Sequence, residues 1–117
     1  MNTIYHLSTC DTCKRIIKKL DLPAGFVMQD IKKEPFTVAQ LDHLKQLAGS
    51  YEALFSRRAK LYKERDLKNE VLTEEDYKGF ILEHYTFLKR PVVVFGEQIF
   101  IGNSPKVVEA AYQAIHA

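Results

Sequence analysis

The chain has 117 residues, and its 17 Lys and Arg stand against 15 Asp and Glu, a formal charge of +2 with His neutral. That length suits one domain, 1–117, able to bury roughly two thirds of the unfolded chain's surface. With 46% hydrophobic and 27% charged residues the composition is that of an ordinary globular protein, and the interleaving of acids with bases argues against direct nucleic-acid binding or an anionic-membrane surface.

Residues 2–7 suit a strand and run into Ser8-Thr9-Cys10-Asp11-Thr12, a group of cap-forming and turn residues, so a strand feeds a helix. Ile16, Ile17 and Leu20 give that helix one apolar face. Pro23-Ala24-Gly25 is expected to end it before a short strand at 26–31, making β-α-β. From about residue 36 to 86 the period is helical. Thr37 with Gln40 reads as a capping box ahead of Leu41, Leu44 and Leu47, and Gly49 as the stop. Ser50 caps a short helix through Tyr51, Leu54 and Phe55, and Thr73 starts another that carries Tyr77, Phe80, Ile81 and Tyr85, so two or three helices are expected in this insert. Pro91 then opens an apolar strand, Gly96-Glu97 makes a tight turn, and 98–101 returns as a second strand. Ser104 and Pro105 start a last helix on Val107, Val108, Ala111 and Tyr112. The order β-α-β, helices, β-β-α predicts an α/β fold, a central mixed sheet with helices on both sides.

The longest apolar run, 92–95, is far short of the ~20 residues that cross a bilayer, and the first residues lack the basic start and apolar stretch of a secretory signal. A cytoplasmic address with no membrane partner is expected. Two cysteines separated by two residues, in a reducing compartment, point to chemistry rather than to stapling.

In Cys10-Asp11-Thr12-Cys13 the first sulfur sits where a strand ends and a helix begins, beside unpaired N–H groups and the positive end of the helix dipole. That setting favours thiolate, the nucleophilic form. Cys13, one turn later, is placed to close a disulfide with Cys10 after oxidation or adduct formation. Two inert small hydrophobes are the plain alternative. Zinc is another, but a closed site takes four ligands and His6, His43, His84 and His116 lack a His-x3–5-His spacing.

Arg57-Arg58 and Arg90 are the arginines of two segments that precede structured elements. Guanidinium groups hold tetrahedral oxyanions through forked hydrogen bonds, but each arginine taken alone also reads as part of a solvated basic face. A proline directly before a buried strand removes a ladder donor, and a cis Arg90-Pro91 bond is expected. His6, four residues before Cys10, either tunes the thiol or packs in the core. His43, His84 and His116 are assigned no role.

Four stretches together resemble the arsenate reductase family of the thioredoxin-like fold, the ArsC/Spx group, over nearly the whole chain. They are Tyr5-His6-x-x-x-Cys10, Glu34-Pro35 before a capped helix, Phe55-Ser56-Arg57-Arg58-Ala59-Lys60-x-Tyr62, and Leu88-Lys89-Arg90-Pro91-Val92-Val93. The resemblance implies a thioredoxin-like three-layer sandwich with a mixed four-stranded sheet and a helical insertion. It implies Cys10 as the nucleophile on arsenate and Arg90 as an oxyanion ligand, with Arg58 the second and Arg57 a weaker candidate for that place. It makes His6 an accessory group and Pro91 the cis proline. No bound cofactor is implied; glutathione with glutaredoxin, or thioredoxin, would supply the electrons.

Two positions depart from the glutaredoxin-coupled members. Asn103 stands where those have a third arginine, and a lost charge-assisted hydrogen bond of about 1.5 to 3 kcal/mol predicts a roughly ten- to hundredfold weaker anion site. Cys13 is instead a feature of Spx-like regulators, which use C-x-x-C as a redox switch and bind the RNA polymerase α subunit through a glycine near the place of Gly49. The favoured expectation is a thiol oxidoreductase acting on an oxyanion or a protein disulfide, and the alternative is an Spx-like regulator.

Overall fold

The computed structural model describes residues 2–117. In chain order its elements are β1 (Asn2–His6), α1 (Asp11–Leu20), β2 (Val27–Asp30), α2 (Val38–Ala48), α3 (Lys60–Glu64), α4 (Glu74–Glu83), β3 (Val92–Phe95), β4 (Gln98–Ile101) and α5 (Pro105–Ile115), with short 3-10 turns at Glu52–Leu54, Leu67–Asn69 and Tyr85–Phe87. They form two compact units, one made of the chain up to Glu34 and from Arg90 onward, the other of Pro35–Lys89.

The first unit is built on a mixed four-stranded sheet in the order β2-β1-β3-β4. β1 runs parallel to β2 and antiparallel to β3, and β3 and β4 form the expected hairpin. Gly96 turns that hairpin at φ 62, a left-handed conformation that glycine adopts without a Cβ penalty. Alternation along β1 puts Ile4 on the face covered by α1 and α5, where it packs with Ile16, Leu20, Val93, Val108 and Ala111. α5 starts as its sequence predicts, with the Ser104 hydroxyl accepting from the Val107 N–H at 3.2 Å and Pro105 in the first turn.

α1 stops earlier than expected. Asp21 takes a left-handed φ of 47 and closes the helix at Leu20, so Pro23-Ala24-Gly25 belongs to the loop beyond rather than to the cap. Aspartate tolerates that region better than most non-glycine residues, and the residue before a proline is disfavoured in a helix.

In the second unit the expected capping box forms at Thr37, Thr73 forms a second one, and α4 ends at Glu83, which leaves Tyr85 in the 3-10 turn beyond it. Thr37 accepts from Gln40 N–H at 3.0 Å ahead of α2, and Thr73 accepts from Asp76 N–H at 3.3 Å ahead of α4. Gly49, at φ 95, ends α2 and donates to the Lys45 carbonyl at 2.8 Å. Leu41 and Leu44 are fully buried. Phe55 is the hub of an aromatic cluster, with ring centroids 4.9 Å from Tyr77, 5.5 Å from Phe87 and 5.8 Å from Tyr62. α3 and the Leu67–Asn69 turn add to the helices expected here.

Candidate active site

Cys10 is delivered by a tight turn. Its N–H donates to the Leu7 carbonyl at 3.0 Å, closing the turn over Ser8 and Thr9, and its carbonyl accepts the first helical bond from Lys14, also at 3.0 Å. It is thus the N-cap residue of α1, extended at φ −93 and ψ 116, with half-buried surroundings. The sulfur closes no short cap hydrogen bond, and the donors of the first turn act on it at longer range. Burial opposes ionisation there, but the Cys13 N–H and thiol, the Thr12 N–H and the Arg90 charge together outweigh it and hold the Cys10 thiol below its usual value.

Cys13 lies three residues later, on the face of α1 that also carries Ile16 and Leu20, and none of its surface is exposed. Burial pushes its thiol up to about 11, with a further upward push from the neighbouring Cys10 sulfur. The motif therefore favours ionisation of one sulfur and opposes ionisation of the other.

Arg90, half-buried, is near enough for its charge to pull both thiols downward. The Arg90-Pro91 bond is cis, as the sequence suggests, and Pro91 is fully buried. The Pro91 carbonyl accepts from Gly102 N–H at 2.9 Å. This ties the entry of β3 to the loop after β4, where Asn103 is exposed.

His6 is 8% exposed and shares its face of β1 with Ile4. Its Nδ1 is buried with no hydrogen-bond partner among the described residues. Burial lowers its pKa and the nearby Asp30 only partly opposes this, so the neutral imidazole is favoured. A neutral ring brings no full charge to the thiolate.

Arg57 and Arg58 belong to the second unit. Arg57 donates to Glu52 Oε2 at 2.7 Å and to the Tyr77 hydroxyl at 3.0 Å, and its guanidinium lies over the Tyr77 ring. Arg58 is exposed, and its backbone N–H donates to the Ser56 hydroxyl at 3.3 Å. Of the two, Arg57 is engaged within its own unit, whereas the Arg58 side chain is exposed.

Ser8 and Asp30 were not singled out by the sequence, yet the Ser8 hydroxyl donates to Asp30 Oδ2 across 22 residues. Only the strand register, His6 opposite Asp30 in β2, could have signalled that Asp30 ends up beside the Cys10 turn.

The ArsC family model matches residues 5–111. The global transcriptional regulator Spx of Bacillus subtilis is 23% identical over 106 residues, which cover 87% of this chain and 79% of that protein. An arsenate reductase structure from Vibrio cholerae is 27% identical, with a TM-score of 0.73 over 94% of this chain and 96% of its own. An arsenate reductase related protein from Brucella melitensis, 24% identical, aligns with a TM-score of 0.70 over 93% of this chain and 92% of its own, which bears on the fold alone. Among the described residues no helix is long and apolar enough to cross a membrane.

Proposed function

The chain belongs to the ArsC family, and on that premise we propose that it is a cytoplasmic thiol oxidoreductase in which Cys10 attacks an oxyanion, arsenate by family resemblance, or a disulfide. The observation that carries this reading is the asymmetry of the two sulfurs, with the Cys10 thiol held down and the Cys13 thiol pushed up to about 11. A nucleophile must be ionised at working pH, whereas a resolving thiol must not compete with it.

With arsenate, the Cys10 thiolate bonds to arsenic and an arsenate oxygen leaves as water after protonation, the arsenic still pentavalent. A second thiol, Cys13 or glutathione, then attacks the Cys10 sulfur. The S–As bond breaks with its electron pair going to arsenic, arsenite leaves, and the two sulfurs are left as a disulfide. Two thiols lose the two electrons that arsenic gains. Consuming the Cys10 charge also removes one of the causes that raise the Cys13 pKa, so the resolving thiol ionises more readily after the first step than before it. Arg90 supplies the positive charge at the sulfur and the forked donors an oxyanion requires. Arg58 is the proposed second ligand, on resemblance alone. Glutathione with glutaredoxin, or thioredoxin, would return the enzyme to its dithiol state.

Steady-state reduction of arsenate with each donor system tests this. Turnover abolished by Cys10→Ser and weakened by Arg90→Ala is expected; a chain that oxidises neither donor in the presence of arsenate or of a disulfide overturns it.

The match to Spx, together with the second cysteine, favours one other reading, a redox-sensing regulator that docks on the RNA polymerase α subunit. Co-purification with that subunit, broken by Gly49→Arg, without turnover of an oxyanion would establish it. Gly49→Ala is the needed control, because any side chain at φ 95 strains the end of α2 even though the space beside Gly49 is open.

A further inference from the structure

The turn that carries Cys10 is held by more than its own closing hydrogen bond. Asp30, the last residue of β2, faces it from the neighbouring strand, opposite His6 in the parallel register. Its Oδ2 accepts the Ser8 hydroxyl, its Oδ1 accepts the Lys32 N–H at 3.1 Å, and the Ser8 N–H adds a further bond to the same carboxylate. Ser8 is one of the two residues spanned by the Cys10-to-Leu7 hydrogen bond. A carboxylate that gathers both donors of one turn residue fixes that residue in place and orientation. The turn, in its turn, sets where the Cys10 sulfur lies relative to the Thr12 and Cys13 N–H groups.

We propose that Asp30 and Ser8 are positioning residues of the redox site, a clamp from the end of β2 that holds the Cys10 turn so that the first N–H groups of α1 converge on the sulfur. The inference rests on the reading above only in taking Cys10 as the reactive sulfur, and neither residue takes part in bond making. A clamp and a bare charge have opposite consequences. If Asp30 acted through its charge, deleting it would remove a repulsion and make Cys10 more readily ionised. Because it acts by holding donors, deleting it loosens them and makes Cys10 less readily ionised.

Alkylation of the reduced full chain by iodoacetamide across pH, with the modified cysteine identified by mass spectrometry, reads this directly. Ser8→Ala and Asp30→Ala are expected to slow Cys10 alkylation at neutral pH by about three- to tenfold, the scale of one hydrogen bond lost, and to move the midpoint to higher pH. Ser8→Thr, which keeps the hydroxyl, restores the wild-type profile. The double variant is no slower than the slower single one, since both remove the same contact. Ser8 is only partly buried, so Ser8→Ala and its threonine rescue carry the test even where Asp30→Ala fails to fold. Faster alkylation in Asp30→Ala, an unchanged profile in Ser8→Ala, or additive losses in the double variant would overturn the clamp. A wild-type midpoint at or above that of a free thiol would instead sink the oxidoreductase reading, so the two failures are told apart.

Discussion

Replacing Cys13 by alanine and by serine separates two roles that the native residue combines. The Cys13 thiol adjoins the Cys10 sulfur and favours its ionisation, and the same thiol is the candidate to close the disulfide. Cys13→Ala removes both functions. Cys13→Ser removes only the second, because an O–H still donates to the thiolate, and the hydroxyl, fully buried at this position, then has the partner it needs there. A hydrogen bond to a charged group is worth about 1.5 to 3 kcal/mol, and a thiol is a weak donor, so the lower end applies and the alanine variant should hold about tenfold less thiolate at neutral pH. Alkylation of Cys10 is therefore expected to be about tenfold slower in Cys13→Ala and close to wild type in Cys13→Ser. Both variants, oxidised in the presence of glutathione, should yield a mixed disulfide at Cys10, where the wild type yields the internal one, distinguished by mass. The small cavity in the alanine variant costs about 1 kcal/mol of stability and is followed by thermal unfolding. Alanine and serine variants that alkylate alike, both at the wild-type rate, would refute the thiol-to-thiolate interaction.

The raised Cys13 pKa also couples to folding. The unfolded thiol ionises near 9 and the folded one near about 11, so across that interval the unfolded state releases a proton that the native state keeps. Stability contributed by the buried thiol is full below pH 9 and is lost toward pH 11, at up to about 1.4 kcal/mol per pH unit. Urea midpoints in that range should fall less steeply in Cys13→Ser; an identical slope would count against the burial argument. For the arginines, Arg57→Ala should leave the KM for arsenate within about twofold and cost at most about 1 kcal/mol of stability, since its exposed ion pair with Glu52 is worth little. Arg58→Ala should raise that KM about tenfold or more, the scale of a charge-assisted hydrogen bond, and the reverse ranking in steady-state assays would move the ligand assignment to Arg57. Asn103→Arg should lower the KM for arsenate by about ten- to hundredfold by restoring a third guanidinium, and no change would mean that the loop after β4 does not reach the anion.

What local pattern controls was legible in the sequence. The capping box at Thr37, the helix start at Thr73, the Ser104-Pro105 start of α5 and the hairpin turn at Gly96 each depend on residues within a few positions of one another. The two sulfurs at the head of α1 were readable for the same reason. α3 was not, because its five residues, Lys60 to Glu64, are too few for a hydrophobic period and bury none of their side chains. The end of α1 was misplaced because glycine and proline were weighed above an aspartate able to turn left-handed. Asp30 was invisible because its meaning lies in a partner 22 residues away, and only the pairing of β1 with β2 brings the two together. Arg57 and Arg58 look equivalent as letters. They part only once Glu52 and Tyr77 are seen to occupy the first.

The division of labour between the sulfurs follows from helix geometry rather than from their chemical identity. The N-cap residue lies half outside the helix, so its side chain meets the unpaired N–H groups of the first turn, whereas the residue three positions later has turned onto the face that packs against the sheet. In this chain that face continues through Ile16 and Leu20, and the position between them and the cap must be small and apolar enough to be buried whole. A cysteine there is held as a neutral thiol by the same packing that holds α1 to the sheet. Exchanging the two surroundings would exchange the reactivities. An enzyme and a redox switch both need this ordering, because each must ionise one sulfur first and close the pair second. The difference between them therefore has to lie in what else meets the Cys10 sulfur. On the proposed reading a converging set of guanidinium groups favours an oxyanion, and Asn103, where the resemblance implies a third arginine, would shift the balance toward disulfide chemistry. Comparing kcat/KM for arsenate and for a protein disulfide in the wild type and in Asn103→Arg measures that balance. The substitution should raise the first and leave the second unchanged, and equal effects on both would show that oxyanion recognition is not set by the charge at position 103.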